Sequence, residues 1–292
     1  MNEVVVILEA RAGLGEGPVW CPREQALYWV DSYEPALKRL DPASGALRSW
    51  PMPSLIGSLA LRESGGAVVA LRHGFAFVDL ASGAVEPVHD LEAHMPETRF
   101  NDGKCDRRGR FWAGTMHFGG QPRYPIGSLY RLDPDRSCHR MEDGIRTSNG
   151  IGWSPDDRTM YFTDTRVGRI YAYDFDLASG SIRDRRVFTQ VPLDEGMPDG
   201  LTVDSRGFVW SVHYDGWRVS RYAPDGSLDR VIKLPVQRPT SCTFGGADLR
   251  TLYLTSARDG ISYDLLERQP LAGALFALDA GVAGLPEPRF AG

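Results

Sequence analysis

The sequence predicts an all-β fold, a six-bladed β-propeller formed by one domain over residues 1–292, and three observations predict it. A strand–turn–strand phrase with an aromatic-rich second strand recurs six times, at the spacing of about 40–50 residues expected for a four-stranded blade. Gly (32) and Pro (20) are scattered along the whole chain, as many short strands joined by tight turns require. Sustained helical periodicity is missing, apart from one or two turns around Ser262–Glu267.

The elements follow in order. The N-terminal stretch MNEVVVILEARAG has a short apolar run with an acidic flank, and lacks the basic region and cleavage site of a signal peptide. It reads as a strand, Val4–Glu9, that completes the last blade beside Ala274–Asp279 and removes the edges that a linear array leaves open. The second strand of each unit is ALYWVD (Ala26–Asp31), AVVAL (Ala67–Leu71), RFWAGT (Arg110–Thr115), TMYFTDT (Thr159–Thr165), FVWSVH (Phe208–His213) and TLYLTS (Thr251–Ser256). Within them Trp29, Val69, Trp112, Phe162, Trp210 and Tyr253 mark equivalent places, at intervals of 40, 43, 50, 48 and 43 residues. A β-sandwich does not explain six such phrases. The aromatic markers read as packing between blades.

Composition bounds the partners. A net charge of −5 without any Lys/Arg run excludes a nucleic acid or an anionic membrane surface as the expected partner. No segment approaches the ~18 apolar residues of a membrane span. Cys21, Cys105, Cys138 and Cys242 lie far apart with no CxxC pair, which fits reduced thiols in a cytoplasmic protein. A monomer is the default expectation.

The repeat also aligns one position before the first strand of each unit: Glu16, Gly57, Asn101, Asn149, Asp199 and Ser241. The innermost strands of a propeller line its channel, so these residues form a ring at one end of it. Two carboxylates and two amides would meet there. Crowded buried acids cost several kcal/mol unless compensated, and a divalent cation compensates them most simply. Oxygen-only ligands suit Ca²⁺, Mg²⁺ or Mn²⁺, while Zn²⁺ and Fe²⁺ also accept carboxylate. The plainer reading is that Asn149-Gly150 and Asp199-Gly200 are ordinary Asx turns. Asp102 and Asp106 read as braces of their own turns. No GxSxG elbow is present, and GLGEGP runs into a strand at Pro18-Val19-Trp20 where a dinucleotide loop needs a helix. His213, at the end of a repeat strand, is a weaker candidate.

Several long motifs occur in order: LGEGPVW (Leu14–Trp20), RFNDGKCDRRGRFWAGTM (Arg99–Met116), GSLYRLD (Gly127–Asp133), SNGIGWSPD (Ser148–Asp156), PDGLTVDSRGFVW (Pro198–Trp210) and LAGALFALD (Leu271–Asp279). In these the chain resembles the senescence marker protein/regucalcin/gluconolactonase family nearly end to end. The resemblance implies a six-bladed propeller holding one divalent metal on Glu16, Asn149 and Asp199, with Arg99 and Asn101 on the substrate. It implies hydrolysis of a sugar lactone to the open-chain sugar acid, with the metal as Lewis acid and Asp199 as general base. One family feature departs: regucalcin-like members carry a Glu shortly after GTM, where this chain has His117 and Phe118. His117 is the candidate substitute on the substrate wall, and the departure points to a bacterial-type sugar-acid enzyme. A different ester or phosphotriester hydrolase on the same scaffold, or a non-catalytic calcium-binding propeller, are the competing expectations.

Overall fold

Short runs of alternating apolar residues, punctuated by Asp- and Gly-bearing turns, fold into six four-stranded antiparallel sheets in a computed structural model that describes residues 3–118 and 124–292. In blades one to five the strands run from innermost to outermost in chain order. Blade six is built differently. Its inner three strands are Pro239–Gly245, Thr251–Ser256 and Leu275–Asp279, and its outermost is the N-terminal Val5–Leu8. Val5 pairs with Ala277 and Val6 with Phe276, so the chain start closes the ring as the sequence predicts.

One apolar core fills each interface between neighbouring blades. Trp29, Trp112 and Trp210 are fully buried in three of these cores, and Trp20 stacks on Tyr253 at 5.3 Å across the junction of blades one and six. The repeated phrases DRRGRFW and DSRGFVW have one physical cause. Asp204 accepts the backbone N–H groups of Arg206 and Phe208, the Trp210 indole N–H at 3.0 Å and the Arg221 guanidinium at 2.7 Å. Asp106 does the same for Arg108, Arg110 and Trp112, so that one buried carboxylate ties the inner turn to the second strand.

The short helix arrives at Tyr263–Arg268, one residue beyond the predicted start. All four cysteines are unpaired, and among the described residues no helix is long and apolar enough to cross a membrane. The last residues lie across the end of the channel remote from the ring. Gly284 bridges to Asp204, Glu287 meets Lys104 at 3.0 Å, and Phe290 is wholly buried beside Arg62.

Candidate active site

Every innermost strand slips register at the ring position. The breaks fall between Glu16 and Val19, Ile56 and Ser58, Phe100 and Gly103, Ser148 and Ile151, Pro198 and Leu201, and Pro239 and Ser241. A bulge puts an extra residue into one strand and re-aims its side chain. Here the bulges of blades one, three, four and five bring Glu16, Asn101, Asn149 and Asp199 onto the wall of one cleft. Glu16, Asn149 and Asp199 therefore sit within irregular strands, and the reading of Asn149 and Asp199 as simple Asx turns does not hold.

The glycines beside these positions serve close approach. A Cβ on Gly150 would stand 2.7 Å from the Asp199 carbonyl oxygen, and one on Gly200 would stand 2.2 Å from Ser241 Oγ. At Gly57 the clash would be with the Asn101 carbonyl oxygen, at 2.3 Å. Blade two contributes no donor to the ring because the backbone of blade three occupies its place.

Glu16, Arg99, Asn101, Asn149 and Asp199 converge on the wall of one cleft. All five are buried. Arg99 donates from Nη1 to Asn101 Oδ1 at 2.7 Å, and Asn101 Nδ2 donates to the Ser148 carbonyl at 2.7 Å. Asn101 thus braces both the guanidinium and the strand that carries Asn149. Arg99 Nε is buried and has no acceptor in the protein.

Electrostatics single out the two acids. Burial raises the Glu16 carboxyl well above the ordinary range, helped by the charges of Asp199 and Asp102, while the Gly17 N–H and Arg99 oppose the rise. Burial likewise raises Asp199, with Asp102 adding to it and Arg99, the Asn149 amide and Arg166 working against it. Asn149 Oδ1 and Asp199 Oδ1 are both buried and accept no hydrogen bond. Hard oxygen donors, desolvated and mutually repelling, fit a divalent cation. Among the described residues no three His, Cys, Asp or Glu side chains cluster in a metal-ligating group.

Other predicted residues fall elsewhere. His117 lies one residue beyond Met116 of the cleft wall, with its ring edge-on to Tyr124 at 5.3 Å. His213 is buried in blade five between the Glu195 carbonyl and the Tyr222 hydroxyl, and burial pulls its pKa down to about 4. Asp106 braces its turn as expected, whereas Asp102 does not. Asp102 stands in the bulged inner strand of blade three, accepts the Gly103 N–H at 2.8 Å, and is pushed up to about 6 by burial.

Sequence reasoning missed the residues at or just after the ends of second strands that wall the cleft: Tyr33, Thr165, Arg166, Tyr214 and Asp259. A signal was present, since Tyr33 and Arg166 each stand two residues after the Asp that ends a second strand, in WVDSY and FTDTR.

Known proteins resemble the chain over its whole length. The chain is 40% identical over 295 residues to the 6-deoxy-6-sulfogluconolactonase of Pseudomonas putida, with all of both chains covered. It is 38% identical to the L-arabinolactonase of Azospirillum brasilense, over 100% of this chain and 96% of that one. Among solved structures, a calcium-binding regucalcin from Agrobacterium tumefaciens superposes with a TM-score of 0.93 at 30% identity, covering 98% of this chain and 96% of that chain. The model of the SMP-30/gluconolactonase/LRE-like region matches residues 14–258, most of the propeller and every residue of the bulged ring, and the chain belongs to that family.

Proposed function

We propose that the chain is a metal-dependent lactonase that opens a sugar (aldono-) lactone to its sugar acid. Support comes from one observation above all: two buried carboxylates and a buried amide oxygen meet in the cleft, and two of their oxygens have no partner in the protein. The full-length likeness to two named lactonases adds to it. Glu16, Asn149 and Asp199 would hold one divalent cation, with Ca²⁺, Zn²⁺, Mn²⁺, Mg²⁺ and Fe²⁺ as candidates. When bound, such a cation supplies Lewis-acid stabilisation of negative charge developing on the lactone carbonyl.

The protein's own groups carry the proton and the alignment. Asp199 accepts a proton from the attacking water as the new C–O bond forms at the carbonyl carbon. The same proton then passes to the ring oxygen as its bond to that carbon breaks, leaving a free hydroxyl and a carboxylic acid, which ionises and releases the water's second proton to solvent. Arg99, on the cleft wall, would hydrogen-bond a sugar hydroxyl or the nascent carboxylate. Asn101 keeps that guanidinium in place. A monomer in the cytoplasm accords with the four unpaired thiols.

The test is proton release by metal-stripped protein on gluconolactone, xylonolactone, arabinonolactone and galactonolactone, with each cation added back singly. Hydrolysis above the spontaneous rate that depends on one cation supports the reading. Flat traces with every pair refute it and favour a phosphotriester substrate or a calcium-binding role.

A further inference from the structure

The chemistry of the cleft wall changes from blade to blade. The acids Glu16 and Asp199 belong to blades one and five, whereas the blade-four side presents Thr147, Thr165 and Arg166. Arg166 is exposed, and among the described residues no carboxylate lies within salt-bridge distance of its guanidinium. Its charge nonetheless reaches Asp199. Thr147 and Thr165 are 6% and 5% exposed, and both hydroxyl oxygens are buried without a partner. The Thr165 N–H donates to the Thr147 carbonyl at 3.1 Å, which holds the two residues side by side.

The loop is fastened as well as charged. Asp164 ends the second strand of blade four, and its carboxylate accepts the N–H groups of Arg146 at 3.1 Å and Thr147 at 3.0 Å. The Arg166 N–H adds to these. Gly168, in a left-handed conformation at φ 71°, ends the turn. A guanidinium displayed on a pinned turn beside two unused hydroxyls is a donor-rich surface that matches an oxyanion. The remaining cleft acid, Asp259, lies on the blade-six loop, two blades away.

We propose that Arg166, Thr165 and Thr147 form a subsite for an anionic substituent, a carboxylate or sulfonate, carried by the lactone away from its ring ester. The proposal rests on the lactonase reading and narrows its substrate to lactones of acidic sugars.

Two measurements test it together. One is kcat/KM for neutral aldonolactones against the same rings bearing a terminal carboxylate or sulfonate. The other is calorimetric affinity for the matching open-chain acids, singly and doubly charged, which needs no turnover. Wild-type protein should favour the doubly charged acid and the anionic lactone by about tenfold or more. Arg166→Gln should bring that ratio to within about threefold, chiefly through KM, and Thr165→Val should lower it by a smaller factor. The arm with the larger ratio identifies carboxylate or sulfonate. Equal affinities in wild type, or a preference that survives Arg166→Gln, overturn the subsite. Neutral lactones hydrolysed with no anionic preference sink the subsite and leave the lactonase. A charge preference in binding with every lactone inert supports the subsite and sinks the lactonase.

Discussion

Gly57 lies at the ring position that carries no donor, and replacing it by alanine probes how the ring is assembled. The added methyl would stand 2.3 Å from the Asn101 carbonyl oxygen and 2.8 Å from the Asn101 Cα. Reaching an ordinary separation of ~3.5 Å requires the blade-three strand to retreat by about 1 Å. The contact is with backbone, so no rotamer change relieves it. Asn101 would carry the shift to Arg99 Nη1, 2.7 Å from its side-chain oxygen, and to Ser148, whose carbonyl its amide holds at 2.7 Å. Overpacking of this kind costs about 1–3 kcal/mol of stability. Misplacing a catalytic constellation by ~1 Å costs on the order of 10² in rate. We expect Gly57→Ala to fold, to unfold at lower denaturant, and to lose about a hundredfold in kcat/KM for whichever lactone the native protein prefers. Assayed well below its unfolding midpoint, the variant separates misplacement from unfolding. Near-native kcat/KM together with an unchanged midpoint would falsify the claim that the blade-three backbone takes the place of a ring side chain.

Three further outcomes follow from the same geometry. Asp199→Asn should lower turnover by at least about 10³ and, because it removes one of two repelling buried acids, leave the chelated protein at least as thermostable as wild type; a lower melting temperature in chelator would contradict this. Asp204→Ala leaves the Trp210 indole N–H without its acceptor and the buried Arg221 guanidinium with Asp229 alone, and should cost about 3 kcal/mol in denaturant unfolding; a loss under 1 kcal/mol would show the brace to be incidental. His213 should remain neutral to a pH of about 4, because burial disfavours its charged form. The unfolded chain takes up that proton near pH 6.5, so stability falls as pH drops from 6.5 and levels off below about 4, by roughly 3 kcal/mol in all. An NMR titration of the imidazole with a midpoint near 6.5 would refute it.

The blades were legible because every unit solves the same problem. Each must bury an apolar face against its neighbour, so Trp29, Trp112 and Trp210 recur at the marker position of alternate blades and prove fully buried. Closure by the first strand was legible too, since the last unit lacks a fourth strand of its own. The ring positions followed from register alone. What sequence could not supply was the reason for the glycine after Asn149 and Asp199. A turn and a close inter-blade approach both call for Gly, and only the neighbour's backbone distinguishes them. The walls at Tyr33, Arg166 and Tyr214 were hidden for a different reason. They lie at or just after the ends of second strands, where the connections differ from blade to blade; the preceding Asp of WVDSY and FTDTR is the one shared mark, and Tyr214 has no such Asp before it.

A channel through a propeller has two ends, and this chain treats them oppositely. At the ring end the inner strands bulge and direct oxygens inward. At the other end Gly284, Glu287 and Phe290 lie over blades five, three and two, and Glu287 is paired with Lys104 inside the channel. Lys104 also donates to the Leu201 carbonyl at 3.3 Å, tying blade three to blade five beneath the site. Its charge works against the burial that pushes Asp102 up, while Asp102 raises both Glu16 and Asp199 above it. The C-terminal segment therefore does more than cover apolar strand ends. By holding Lys104 with Glu287 it steadies a cation whose charge opposes the rise of Asp102, the carboxylate that in turn acts on both Glu16 and Asp199.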